Sequence, residues 1–126
     1  MKTLLFVALG GAIGASGRYM VGSLVSHLPH GGFPLGTFTV NAVGSFALGV
    51  LAALMAMTWS PSPELRAFLV VGVLGGFTTF SAFSLDVILL VERGRAALAL
   101  GYVAASLIVA IGGLFAGLRL TRMLVG

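Results

Sequence analysis

Two short polar series interrupt an otherwise apolar chain. Thr37, Asn41 and Ser45 recur every four residues within GTFTVNAVGSFALG, which places one amide and two hydroxyls on a single face of a helix. Tyr102 and Ser106 repeat the same step, with Ala110 on the next turn. Such groups donate hydrogen bonds without carrying charge, so they replace the water shell of a small anion without trapping it. The plainer reading of either stripe is hydrogen bonding between helices, worth about 0.6–2 kcal/mol, and spacing alone does not separate the two.

A third series runs Gly75-Gly76-Phe77-Thr78-Thr79-Phe80-Ser81-Ala82-Phe83-Ser84. Two glycines followed by two β-branched threonines lower helix propensity, and a break in the helix is predicted there. Unwound backbone at bilayer depth persists only where it is buried in protein or lines a cavity. Its freed carbonyls commonly hold an ion. Phe77, Phe80 and Phe83 follow at i, i+3 and i+6, broadly on one side of the helix. As a stripe this is ordinary packing, but aromatic edges are electropositive, and beside threonine and serine hydroxyls they suit an anion.

Other chemistry finds little material. His27 and His30 sit in a Gly/Pro loop without a nearby carboxylate, and cysteine is absent, so no zinc or thiolate metal set is formed. Gly11, Gly14 and Gly17 are not a dinucleotide fingerprint, because that motif needs a preceding strand and a following acid, and the next acidic residue is Glu64. The first, second and fourth apolar stretches hold no carboxylate. Asp86 falls toward the end of the third, where it reads as a cap or anchor, so the embedded carboxylate on which proton-coupled cation transport usually depends is missing.

The elements that must position these residues follow from composition. Of 126 residues, 59% are hydrophobic and 8% charged, against about 25% charged in globular proteins; mean hydropathy is +1.15. A water-soluble surface cannot be assembled from so few charges. Soluble enzymes, disordered regions and nucleic-acid-binding modules are thereby excluded. The pI of 10.8 does not restore a nucleic-acid partner, because the basic residues are neither clustered nor in a run. They sit beside apolar stretches as interface anchors.

A hydrocarbon core about 30 Å thick takes roughly 20 apolar residues of helix, and four stretches qualify: 3–26, 36–58, 65–91 and 96–118. The expected architecture is an all-α integral membrane protein, a single four-helix transmembrane domain over 1–126 with the third helix broken mid-membrane. All four prolines lie outside the spans, where a fixed φ and a missing N–H do no harm. Residues 2–17 also resemble a secretory signal peptide, but the similar runs that follow make a first span the simpler account. Gly10 and Gly14, Gly72 and Gly76, and Gly113 and Gly117 lie four apart, the spacing that lets membrane helices approach closely.

Four spans put Lys2, Arg66, Arg119 and Arg122 on one side of the membrane and Arg18, Arg93 and Arg95 on the other. Orientation follows the Lys/Arg bias, and four against three is almost none. Insertion in both orientations is the consequence, and two opposed copies can pair as an antiparallel homodimer, the intermolecular counterpart of inverted repeats.

The segments GGAIGASGRY (10–19), GTFTVNAVGSF (36–46) and GGFTTFSAF (75–83) resemble the signatures of the small fluoride channels, the CrcB/Fluc family of bacteria and archaea. Three motifs in order cover essentially the whole chain. The resemblance implies a dual-topology homodimer with two antiparallel pores, passive fluoride export across the cytoplasmic (inner) membrane, and a structural sodium ion at the dimer centre. It implies that Asn41 is the pore-lining amide and that Phe80 and Phe83 form an aromatic box around fluoride. Thr37, Thr79 and Ser81 belong with them on the pathway, Tyr102 and Ser106 continue it, and Arg18 stands at its vestibule or interface. Backbone carbonyls of Gly75 and Thr78 would hold the sodium. Ala110 and Leu114 lack hydroxyls expected further along the track in some relatives, which leaves its far end undefined. The rivals are a small multidrug-type transporter, also four-helical and of dual topology, and a non-conducting scaffold. The first requires an embedded carboxylate; the second leaves the hydroxyl-rich third span without a purpose.

Overall fold

Within a bilayer core the backbone must satisfy its own hydrogen bonds, which favours helices. The computed structural model describes residues 1–126, and its regular structure is entirely helical. Helices α1 (Lys2–Val25) and α2 (Leu35–Met57) are continuous. The third span begins as a short α3 (Pro63–Arg66), started by proline and by Ser62 Oγ accepting the Leu65 N–H at 3.1 Å. It continues as a π-helical stretch, Ala67–Leu74, and one further turn, α4 (Gly75–Phe77). After a break, α5 (Phe80–Glu92) completes the span, and α6 (Ala96–Val125) is the fourth. All four spans are long and apolar enough to cross a membrane.

The break falls where the glycines and threonines predict it. Thr78 (φ −90°, ψ 159°) and Thr79 (φ −153°, ψ 124°) are extended, and Thr79 Oγ1 accepts the Ala82 N–H at 3.0 Å to cap α5. Two features differ from the sequence expectation. The π-helical stretch occupies AFLVVGVL, a run apolar on every face, where hydrophobic periodicity cannot distinguish one helical pitch from another. Helix α6 continues seven residues past 118, carrying Arg119 and Arg122 as helical residues. Charges that end an apolar window do not end a helix, and Arg119 lies over the Phe115 ring at 5.7 Å.

Glycine sets the packing. A Cβ at Gly14 would collide with the Val73 carbonyl, and one at Gly117 with the Phe46 carbonyl. The α1 helix therefore meets the third span, and α2 meets α6, backbone to backbone. Contacts advance together along α2 and α6: Gly113 lies beside Ala42 and Phe46, and Gly117, one turn on, beside Phe46 and Val50. The two helices accordingly run parallel. Lys2 Nζ lies 4.0 Å from Glu64 at one end of the bundle, and Arg95 covers Gly32 at the other, as an alternating four-span path requires. Only 13 residues are buried, while Leu4, Ile13, Ile108 and Phe115 point outward. Surfaces of that kind belong against lipid or another chain.

Candidate functional site

The break is held from two sides. Asn41 on α2 reaches across it: its Nδ2 donates to the Thr79 carbonyl at 3.0 Å and its Oδ1 accepts the Thr79 N–H at 2.8 Å. Arg18 on α1 donates from Nε to the Gly76 carbonyl at 3.1 Å. These contacts satisfy backbone groups that the extended residues expose. They also redirect two donors. In an unbroken helix the Thr79 N–H would serve the Gly75 carbonyl and the Ala82 N–H would serve Thr78; here they go to Asn41 Oδ1 and Thr79 Oγ1. Gly75 and Thr78 are thus among the residues whose carbonyls lose their helical donors, as is Gly76, which takes Arg18 instead.

On one side of the break lies a cavity of about 240 Å³ lined by Asn41, Ser45, Thr78, Thr79, Phe80, Phe83, Ser106, Leu107 and Ala110. The rings of Phe80 and Phe83 are 5.6 Å apart, and Phe83 is 5.2 Å from Tyr102. Ser106 is 7% exposed, and its hydroxyl is buried without a hydrogen-bond partner. A buried hydroxyl normally finds one, so this orphan beside a cavity is informative. Helix α5 starts at the same place, and the partial positive charge of a helix N-terminus attracts anions. Amide, hydroxyls, ring edges and helix end together form a donor-rich, uncharged environment.

A larger cavity, about 510 Å³, opens on the other side and is lined by Arg18, Tyr19, Ser23, Thr37, Thr79 and Asp86 among others. Thr79 stands between the two. Tyr102, fully buried, donates from its hydroxyl to Asp86 Oδ2 at 3.0 Å.

The structure therefore divides the residues singled out in the sequence. Asn41, Thr79, Phe80, Phe83 and Ser106 share the smaller cavity; Thr37 and Arg18 line the larger one. Ser81 lines neither, but its hydroxyl lies 3.1 Å from Thr79 Oγ1. The Tyr102 ring touches the aromatic pair while its hydroxyl is committed to Asp86. Phe77 does not share a face with Phe80 and Phe83: the extended threonines turn it away, and it packs toward Gly17 and Gly44. Asp86 is more than an end-of-helix anchor. Its position three residues after Phe83 puts it on the same helical face, a signal available in the sequence. That Arg18 binds the break was not legible there, because its partner is 58 residues away.

Known proteins align with this arrangement over nearly its full length. The family described as "CrcB-like protein, Camphor Resistance (CrcB)" matches residues 5–118. A protein of Rhodospirillum centenum named "Fluoride-specific ion channel FluC" is 61% identical over 122 residues, 97% of each chain. Proteins of the same name from Agrobacterium fabrum and Paracoccus denitrificans are 52% and 51% identical, the alignments covering 98% and 95% of this chain and 99% and 94% of theirs.

Proposed function

This chain belongs to the CrcB family, and on that premise we propose that it is a fluoride-specific channel through which fluoride leaves a bacterial cell passively across the cytoplasmic membrane. The observation that best supports this reading is the cavity where Asn41, Thr79, Ser106, Phe80 and Phe83 meet at the N-terminus of α5. Fluoride is small, hard and strongly hydrated. A path for it must offer donors in place of water, and conduction demands that each site bind weakly enough to release. Neutral hydroxyls, an amide and ring edges meet both conditions, whereas a lysine or arginine at the same place would hold the ion. No reaction is catalysed in this scheme. A multidrug-type exporter needs a titrating carboxylate in its substrate cavity; the smaller cavity has none, and Asp86 of the larger one is engaged by the Tyr102 hydroxyl.

Two copies in opposite orientations complete the pathway. The near-balanced Lys/Arg distribution supports dual insertion. Phe80, 77% exposed at the break, and Gly75, also exposed, leave the break open to a second chain. A sodium ion at the centre of that dimer is the third part of the reading. The carbonyls of Gly75 and Thr78 have lost their helical donors, and hard, uncharged oxygens suit a hard monovalent cation. They fit the group: two oxygens from each chain would hold it, and its charge would join the copies and favour a neighbouring anion. The decisive experiment reconstitutes the purified protein in liposomes and follows fluoride and chloride efflux under a potassium/valinomycin clamp. Fast fluoride efflux with chloride retained is expected; equal rates for the two, or none for fluoride, would reject the assignment.

A further inference from the structure

The polar track has a gap on α6 that α2 is positioned to fill. Helices α2 and α6 run parallel, and both polar series climb at four residues per step. Both series reach the smaller cavity, Asn41 and Ser45 from α2 and Ser106 and Ala110 from α6. Beyond Ser106 the α6 residues lining the smaller cavity are Leu107 and Ala110, neither of which can donate a hydrogen bond. Ser45 lines the same cavity from α2, about 6 Å along the helix from Asn41. Further on the two helices close against each other through Gly49 and Gly117, leaving no space for a track between them. The Ser106 hydroxyl, buried without a partner, shows that the cavity holds unmet hydrogen-bonding capacity.

We propose that Ser45 is a fluoride-binding residue of this channel: its hydroxyl takes the step after Ser106 that Ala110 cannot provide. The inference rests on the fluoride-channel reading and adds to it which helix carries the ion at the far end. A fluoride leaving Ser106 passes from a hydroxyl on one helix to a hydroxyl on the other, the transfer between weak neighbouring sites that conduction needs.

The test compares wild type, Ser45→Ala, and the double variant Ser45→Ala/Ala110→Ser in liposomes, with dimer content checked by size exclusion. Ser45→Ala should lower fluoride efflux about tenfold, the scale of one lost hydrogen bond, and the added serine on α6 should restore most of it by returning a hydroxyl to the same cavity. Restoration from the opposite helix is not expected of a purely structural serine. Wild-type efflux in Ser45→Ala, or a loss that Ala110→Ser leaves unrepaired in a folded protein, overturns the proposal. A wild-type protein that conducts no fluoride would instead reject the underlying function, so the two failures are distinguishable.

Discussion

At the scale of single residues, Asn41 links function to fold. Its amide both donates to and accepts from Thr79, while its cavity-facing position puts it among the fluoride donors of the proposed path. Asn41→Asp keeps the acceptor and removes the donor, setting a carboxylate oxygen against the Thr79 carbonyl. Fluoride efflux from liposomes should fall about tenfold or more, with a loss of stability of about 1–3 kcal/mol from the unpaired carbonyl. Phe83→Ile isolates the aromatic contribution. It keeps an apolar group of similar reach but removes the electropositive edge, so a folded protein with much reduced fluoride efflux is expected. Unchanged efflux would assign Phe83 to packing alone.

The elements matter through the places where they fail to be regular. A continuous third helix would bond its own carbonyls and leave nothing for an ion. The break is maintained by α1 and α2 reaching into it, with Arg18 bonded to the Gly76 carbonyl. Arg18→Ala should leave that carbonyl without a donor and lower stability by about 1–3 kcal/mol, read as an earlier unfolding midpoint in detergent. The seam between α1 and the third span makes a separate prediction. Gly14→Val places a branched side chain where the Val73 carbonyl already stands, and overpacking of this kind costs about 1–3 kcal/mol or more. A melting temperature equal to wild type would contradict the backbone-to-backbone contact.

For the molecule as a whole, the outward surface is apolar and the charges are nearly balanced between its two ends. Dual topology predicts that a C-terminal reporter is active on both sides of the membrane. Moving two positive charges to one side should bias it; labelling from one side only in the unaltered chain would contradict dual insertion. Sodium belongs to the same scale, since its ligands would come from both copies. Exhaustive replacement of sodium by a large organic cation should slow fluoride efflux or loosen the dimer, as measured by crosslinking. Equal efflux and equal dimer content would remove the ion from the scheme.

The chain's sequence by itself determined the number of spans, the position of the break and the chemical types along the two polar stripes. These are local properties: hydropathy over about 20 residues, the flexibility of Gly75-Gly76, the branching of Thr78 and Thr79, and a four-residue step. Three motifs in order were enough to suggest the family. Only the tertiary structure decided which polar groups share a cavity, and it separated Thr37 and Arg18 from Asn41 and Ser106. It also decided that Phe77 leaves the aromatic stripe, that Asp86 holds Tyr102, and that the Thr79 and Ala82 N–H groups turn from the helix to Asn41 and to Thr79 Oγ1. The physical reason is that such pairings join residues on different helices, 38 apart for Asn41 and Thr79 and 58 for Arg18 and Gly76. Their register is set by how closely glycine lets the backbones approach, and no single-helix periodicity encodes that.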